Sequence, residues 1–301
     1  MSLLRSIDDL SDQSVGWILE RAASRRAAAG EGRVAERLLD RPPLVGLLFL
    51  DTSLRTRVGF TAAAARLGGS VAEVLETRYS EVSMPESPAH TLRVLTGYCD
   101  VVVARLDRPL DASVVTSSLV PVVNGGDRGR AAEHPTQALI DLFAIEQDLG
   151  RPEELTVAVI GDLRMRSVRS LLRLLARRPP LRLVLVTDAA LSPFEPLPAP
   201  LVGRAEQRTA QQLDDVDVLY VAGIPHAAVG EEVRTALRVT PEVMVGLPRH
   251  AVVMSPLPVI DEIDQAAQAN PRFRAFLHSD DGLHIRAAVL ERLLLTSLAL
   301  R

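Results

Sequence analysis

Asp51-Thr52-Ser53-Leu54-Arg55-Thr56-Arg57 stands between an apolar run at 44–50 and a stretch, 58–67, in which Phe60, Ala63, Ala64 and Leu67 recur at helical spacing. The first run is too short for a buried helix and predicts a buried strand, so the polar heptapeptide is a strand-to-helix turn. Its Ser and Thr can cap the helix, whose first amide N–H groups lack intrahelical partners and carry the positive end of the dipole. Two guanidiniums beside those amides make an anion site. A phosphate fits it, because backbone donors and a forked arginine match phosphate oxygens in number and geometry. Taken alone, the stretch reads equally well as an ordinary capped helix with solvated arginines.

Working outward, the same alternation recurs. A Ser-capped helix is predicted over 11–29, with Val15, Ile18, Leu19 and Ala22 inward. Strands are predicted at 44–50, 70–75, 101–104 and 120–123, a helix at 91–98, and a loop at 76–88 that holds two prolines. A helix over 136–149 places Leu139, Leu142, Phe143 and Ile145 on one face and crosses between two halves of the chain. A second series then follows, with strands at 156–160, 181–186, 216–221 and 252–254, and the chain closes on an apolar helix over 285–300. Strands alternating with helices predict parallel sheets. At 301 residues the chain exceeds one ordinary core, so two α/β domains are expected, each a doubly wound parallel sheet. Ligands in such sheets lie outside the carboxyl ends of the strands. Ser53, Arg105, Asn124, Gly161 and Ser255 all follow strand ends, which predicts a cleft drawing on both domains.

Composition narrows the function. A net charge of −4 with pI near 5.9 gives no electrostatic reason to expect nucleic acid or an anionic membrane, and aromatics at 3% offer no stacking platform. All 34 basic side chains are arginine; the sequence contains no lysine. The single cysteine, Cys99, excludes an intrachain disulfide and fits a reducing cytosol, with packing as its expected role. No signal-peptide core or membrane-length apolar run is present, so a cytoplasmic protein is expected. Seven arginines crowd the run 164–182, where Val168, Leu171, Leu172 and Leu175 form one helical face and the arginines a solvated opposite face.

Ser53 to Arg57 resembles the Ser-Thr-Arg-Thr-Arg phosphate motif of the aspartate and ornithine carbamoyltransferases, with Leu54 in place of the first threonine. His134-Pro135-Thr136-Gln137 resembles the same family's second signature in its aspartate-type form; read by itself, His134 could also simply cap the helix beginning at Pro135. Gly161-Asp162-Leu163 and Ser255-Pro256-Leu257-Pro258 add aspartate-type landmarks, so the resemblance covers nearly the whole chain. It implies a carbamoyl-phosphate-binding domain at 1–135, joined by the helix 285–301, and an acceptor domain at 136–284, with the active site between them.

Carried over residue by residue, the resemblance implies that Ser53, Arg55, Thr56 and Arg105 hold the phosphate. Thr56, Arg105 and His134 polarise the carbonyl, Gln137 orients the carbamoyl amide, and Leu257 and Pro258 form the cis-proline segment that receives the attacking amine. It implies a homotrimer in which a neighbouring subunit lends the loop 76–88, here with Ser80, and with Ser83 or Met84 where the family places a lysine. It implies no metal or organic cofactor. Arg166 matches one acceptor-binding arginine, whereas Gly223 and Pro225 replace the family's acceptor-binding arginine and glutamine. The resulting expectation is carbamoyl transfer from carbamoyl phosphate to an amine other than aspartate, the alternatives being a repurposed enzyme or a non-catalytic paralogue.

Overall fold

Strand pairing in the computed structural model is parallel throughout its named strands and forms two sheets of five strands each. The structure describes residues 3–33, 39–75 and 86–299. The chain divides into two units, one comprising Met1–Leu139 with Asp281–Arg301 and the other Ile140–Asp280. Among the described residues no helix is long and apolar enough to cross a membrane.

Unit 1 contains β1 (Leu3–Leu4), α1 (Asp12–Gly30), β2 (Leu44–Phe49), α2 (Leu54–Arg66), β3 (Ser70–Val74), α3 (Pro88–Tyr98), β4 (Val101–Arg105), α4 (Ala112–Val115) and β5 (Val122–Asn124). Its strands lie in the order β1-β5-β4-β2-β3. β2 therefore has its successor on one side and β4 on the other, and the winding reverses between β2 and β4, where Phe49 registers with Arg105. Crevices at such reversals are where open parallel sheets bind ligands. β4 and β5 are buried along their whole length, as expected of parallel strands covered on both faces. On one face Leu48, Val102, Ala104 and Val122 pack with Leu92, Leu95 and Cys99. Burial, with Asp100 as a second cause, pushes the Cys99 thiol up to about 11, so it packs as a small apolar group. α3 starts at Pro88 and not at 91, because Ser87 accepts from the His90 N–H and a proline at the first helical turn gives up no needed donor.

α5 (Pro135–Asp148) contains the first boundary between the units. Unit 2 then holds β6 (Thr156–Ile160), α6 (Arg166–Arg177), β7 (Arg182–Val186), α7 (Ala199–Val202), β8 (Ala205–Gln207), β9 (Val218–Val221), α8 (Glu231–Ala236), α9 (Pro241–Gly246), β10 (Val252–Met254) and α10 (Gln265–Gln268). The order β10-β9-β6-β7-β8 repeats the reversal, here between β6 and β9. Val168, Leu171, Leu172 and Leu175 are buried on α6, as their spacing predicts. The arginines of that run differ from expectation. Arg169, only 9% exposed, reaches Glu195 at 2.7 Å, Arg173 meets the same carboxylate at 3.3 Å, and Arg178 meets Glu153 at 3.1 Å. They are paired with acids and not merely solvated. α11 (Ala275–Ala299) begins well before 285, and contains the second boundary. Its first turns carry Ser279, Asp280 and Asp281, which interrupt the apolar pattern that marks the rest.

Candidate functional site

The first strand-to-helix turn forms as its sequence requires. Ser53 is the N-cap of α2 and its side-chain oxygen accepts from the Thr56 N–H at 3.3 Å. Arg55 and Thr56 thus sit in the first helical turn, at the carboxyl end of β2, where the helix dipole favours an anion. Thr56 is buried, whereas Leu54 is 72% exposed. The Arg55 guanidinium lies below the ordinary arginine range, through burial first and then the neighbouring charge of Arg105.

Arg105 arrives from the end of β4 and is almost fully buried. Its Nε and Nη2 donate to Asp51 Oδ2 at 3.0 and 2.7 Å, and its Nη1 donates to the Gly125 carbonyl at 3.2 Å. The other oxygen of Asp51 accepts from Arg128 at 2.8 Å. Burial alone would raise the Asp51 carboxyl; hydrogen bonds and charge from Arg128 and Arg105 outweigh it and hold the group below its usual value. Asp51 therefore fixes the plane of the Arg105 fork while remaining ionised.

The third approach to the site comes from the loop after β5. Asn124 Oδ1 accepts from the N–H groups of Gly126 and Asp127, and Asp127 accepts from the N–H groups of Leu110 and Glu133. These bonds return the chain to His134 just before α5. The His134 Nε2 lies 3.5 Å from Thr56 Oγ1, and its Nδ1 lies 3.4 Å from Thr136 Oγ1. Gly126 has φ +94, and a Cβ there would stand 2.6 Å from His134 Cδ2 and 2.8 Å from Arg105 Nη1. The glycine is what lets His134 and Arg105 approach. Gln137 follows His134 by one turn, its N–H donating to the His134 carbonyl at 3.0 Å. Ser53, Arg55, Thr56, Arg105, His134 and Gln137 all belong to unit 1. Chemically the group offers forked cations, helix amides and an imidazole, which suits a phosphoryl group and an adjoining carbonyl oxygen.

In unit 2, Arg166 opens α6. Gly161, with φ +112, ends β6 so close to β9 that a Cβ would lie 2.3 Å from the Ala222 carbonyl oxygen. Leu257 adopts φ 56, in the left-handed region that a leucine rarely occupies, and the Leu257–Pro258 peptide is cis. The buried Glu262 accepts from the N–H groups of Ile260 and Asp261, shaping this turn. Gly223 presents no side chain, and the point where its Cβ would stand is 3.7 Å from Glu262 Oε1. Ser80, Ser83 and Met84 lie outside the described residues.

Sequence reasoning did not single out Asp51, Arg128 or Gly126. Asp51 had a signal, as the residue opening the decisive turn; Arg128 had none. No cluster of three or more metal-ligating side chains occurs among the described residues.

Comparison with known proteins agrees with this geometry. Residues 3–147 match the family described as aspartate/ornithine carbamoyltransferase, carbamoyl-P binding domain. The chain is 34% identical over 310 residues to the aspartate carbamoyltransferase catalytic subunit of Archaeoglobus fulgidus, covering 98% of this chain and 100% of that one. The catalytic subunit of the M. jannaschii aspartate transcarbamoylase superposes with TM-score 0.86 at 30% identity, over 97% of this chain and 98% of that one. The aspartate transcarbamoylase of Trypanosoma cruzi in complex with carbamoyl phosphate and aspartate gives TM-score 0.87 at 30% identity, over 97% and 95%.

These relatives overturn the expectation of an acceptor other than aspartate. That expectation weighed two exchanged side chains, Gly223 and Pro225, together with a missing lysine in a loop outside the described residues. Full-length likeness to aspartate enzymes outweighs it. A carboxylate can be received by any suitably placed arginine or backbone amide, so losing particular donors does not by itself define a different ligand.

Proposed function

Because the chain belongs to the aspartate/ornithine carbamoyltransferase family, we propose that it transfers the carbamoyl group of carbamoyl phosphate to the amine of aspartate. The observation that carries this reading is the convergence of Arg105, Thr56 and His134 on the amino end of α2, at the winding reversal of the first sheet. In the reaction the amine nitrogen attacks the carbonyl carbon, a C–N bond forms, the C–O bond to phosphate breaks, and the amine gives up a proton. Charge grows first on the carbonyl oxygen and then on the departing phosphate. Thr56, Arg105 and His134 meet the first; Ser53, Arg55, Thr56 and Arg105 meet the second. Gln137 orients the carbamoyl amide. In unit 2, Arg166 takes an acceptor carboxylate, and the backbone carbonyls of Leu257 and Pro258 receive amine hydrogens. A homotrimer in the cytoplasm belongs to the same proposal, supported by the exposure of Leu54 and Val58, one turn apart on α2, which a second copy would cover.

The test is phosphate release from carbamoyl phosphate with aspartate as acceptor, at the protein concentration where sedimentation shows a single species. Turnover in the range of ordinary enzymes, about 1 to 1000 per second, is expected. Arg55→Ala should weaken inorganic phosphate by roughly tenfold or more, through loss of a charge-assisted contact. No aspartate-dependent phosphate release from protein that binds carbamoyl phosphate would remove the acceptor assignment and leave the anion site standing.

A further inference from the structure

Behind α2 lies a guanidinium that the reaction, as just described, does not use. Arg286, on α11, is 5% exposed, and its Nε has no hydrogen-bond partner. No carboxylate pairs with it among the described residues. Its guanidinium carbon stands 5.8 Å over the Phe60 ring, and its Nη1 lies 2.6 Å from where a Cβ on Gly59 would be. Gly59 follows Arg55 by four residues, so both occupy one face of α2. The missing side chain at 59 is the notch that admits the guanidinium beneath Arg55.

Buried arginines elsewhere in this unit are compensated. Arg21 and Arg25 share Glu291 on the same helix as Arg286. A buried charge without a counter-ion is costly and persists where its field is used. Burial, and next the charge of Arg55, draw the Arg286 guanidinium down to about 10, which leaves it charged at neutral pH. Among the described residues it thus faces an aromatic ring and a second cation. Arg55 is itself opposed by Arg105. Guanidiniums from α2, β4 and α11 thus lie near one another, and Asp51 holds that of Arg105.

We propose that Arg286 is a positioning residue of the anion site: its charge, which no carboxylate among the described residues offsets, is seated in the Gly59 notch, holds Arg55 toward the amino end of α2 and deepens the positive potential that a phosphate meets. The proposal rests on the reading of unit 1 as the phosphate-binding unit. Arg286 acts through Arg55 and through space, without touching the anion.

Inorganic phosphate binding by calorimetry tests this in the full-length protein and in Arg286→Met, Arg286→Lys, Gly59→Ala and Arg55→Ala. Arg286→Met keeps the length and apolar packing of the stem and removes the charge. It should weaken phosphate by about tenfold, a shift of roughly 1.4 kcal/mol, and raise the KM for carbamoyl phosphate in parallel while kcat changes little. Arg286→Lys should recover most of the affinity. Without phosphate, Arg286→Met should melt no lower than the parent, since a buried charge without a counter-ion is being replaced by an apolar group. A purely structural role predicts the reverse: lower melting and unchanged affinity. Unchanged phosphate affinity in folded Arg286→Met overturns the proposal. Should that variant not fold, Gly59→Ala, which displaces the guanidinium and keeps its charge, decides: weakened phosphate supports the proposal and unchanged affinity overturns it. If the parent binds no phosphate, the anion-site reading and this proposal fail together. If Arg55→Ala loses affinity and Arg286→Met does not, only this proposal fails.

Discussion

A single methyl group at Gly126 would press on two side chains at once, because the ideal Cβ position is 2.6 Å from one ring carbon of His134 and 2.8 Å from Arg105 Nη1. Gly126→Ala also forces φ +94 on a residue that disfavours it, a cost of about 1–3 kcal/mol. The expected outcome is a fall of roughly 100-fold in kcat/KM, as for a reacting group displaced by about 1 Å, in protein that still unfolds cooperatively. Full activity in that variant would show that His134 and Arg105 tolerate displacement. At this scale the sequence was most legible where a residue followed a strand end. Ser53 and Arg105 could be read in this way because each follows a strand-like run, whereas Thr56 and His134 were legible only through the resemblance of the motifs that hold them. Arg286 could not, since it sits on an apolar helix like any snorkelling arginine and only the fold brings it to Gly59. Gly223 was legible as a missing side chain, but that absence did not identify the acceptor.

Between elements, a buried polar tie in unit 1 joins α1 to α11 through Glu291, whose side chain is 1% exposed and meets Arg21 at 2.9 Å and Arg25 in a second pair. Burial would raise this carboxyl, and the two arginines more than reverse it, so the folded-state value lies below the ordinary one of 4.5. The unfolded chain consequently binds more protons as the solution becomes acid. The stabilisation is complete above about pH 4.5 and is lost as the pH falls through the lowered folded-state value. Glu291→Gln removes the buried negative charge that Arg21 and Arg25 share and should destabilise unit 1 by about 3–5 kcal/mol at pH 7. In urea melts the gap between parent and variant should narrow toward pH 3, as the parent's carboxyl protonates; a gap independent of pH would mean that the pair is not what the glutamine disrupts. Element types were legible because buried parallel strands are continuous apolar runs and the helices have clear caps. Ends were less so: α11 starts among polar residues, and β1 and β8, of two and three residues, are too short to carry a pattern.

For the whole molecule, the doubly wound arrangement followed from alternating runs, and the comparisons then corrected the acceptor. Unit 2 is continuous, Ile140–Asp280, and its sheet is packed on both faces by its own residues. Unit 1 is not continuous, because Asp281–Arg301 belongs to it. Residues 140–280 expressed alone should therefore give a cooperative unfolding transition, whereas a chain ending at 280 should lose phosphate binding while protecting the amides of β6 and β9 from hydrogen exchange. Phosphate binding by the shortened chain would show that α11 is dispensable to the site. The division has a consequence for synthesis on the ribosome. Domains usually fold in the order in which they are made, yet here the amino-terminal residues must wait for residues 281–301, translated after the whole of unit 2, so the half that emerges first is the half completed last.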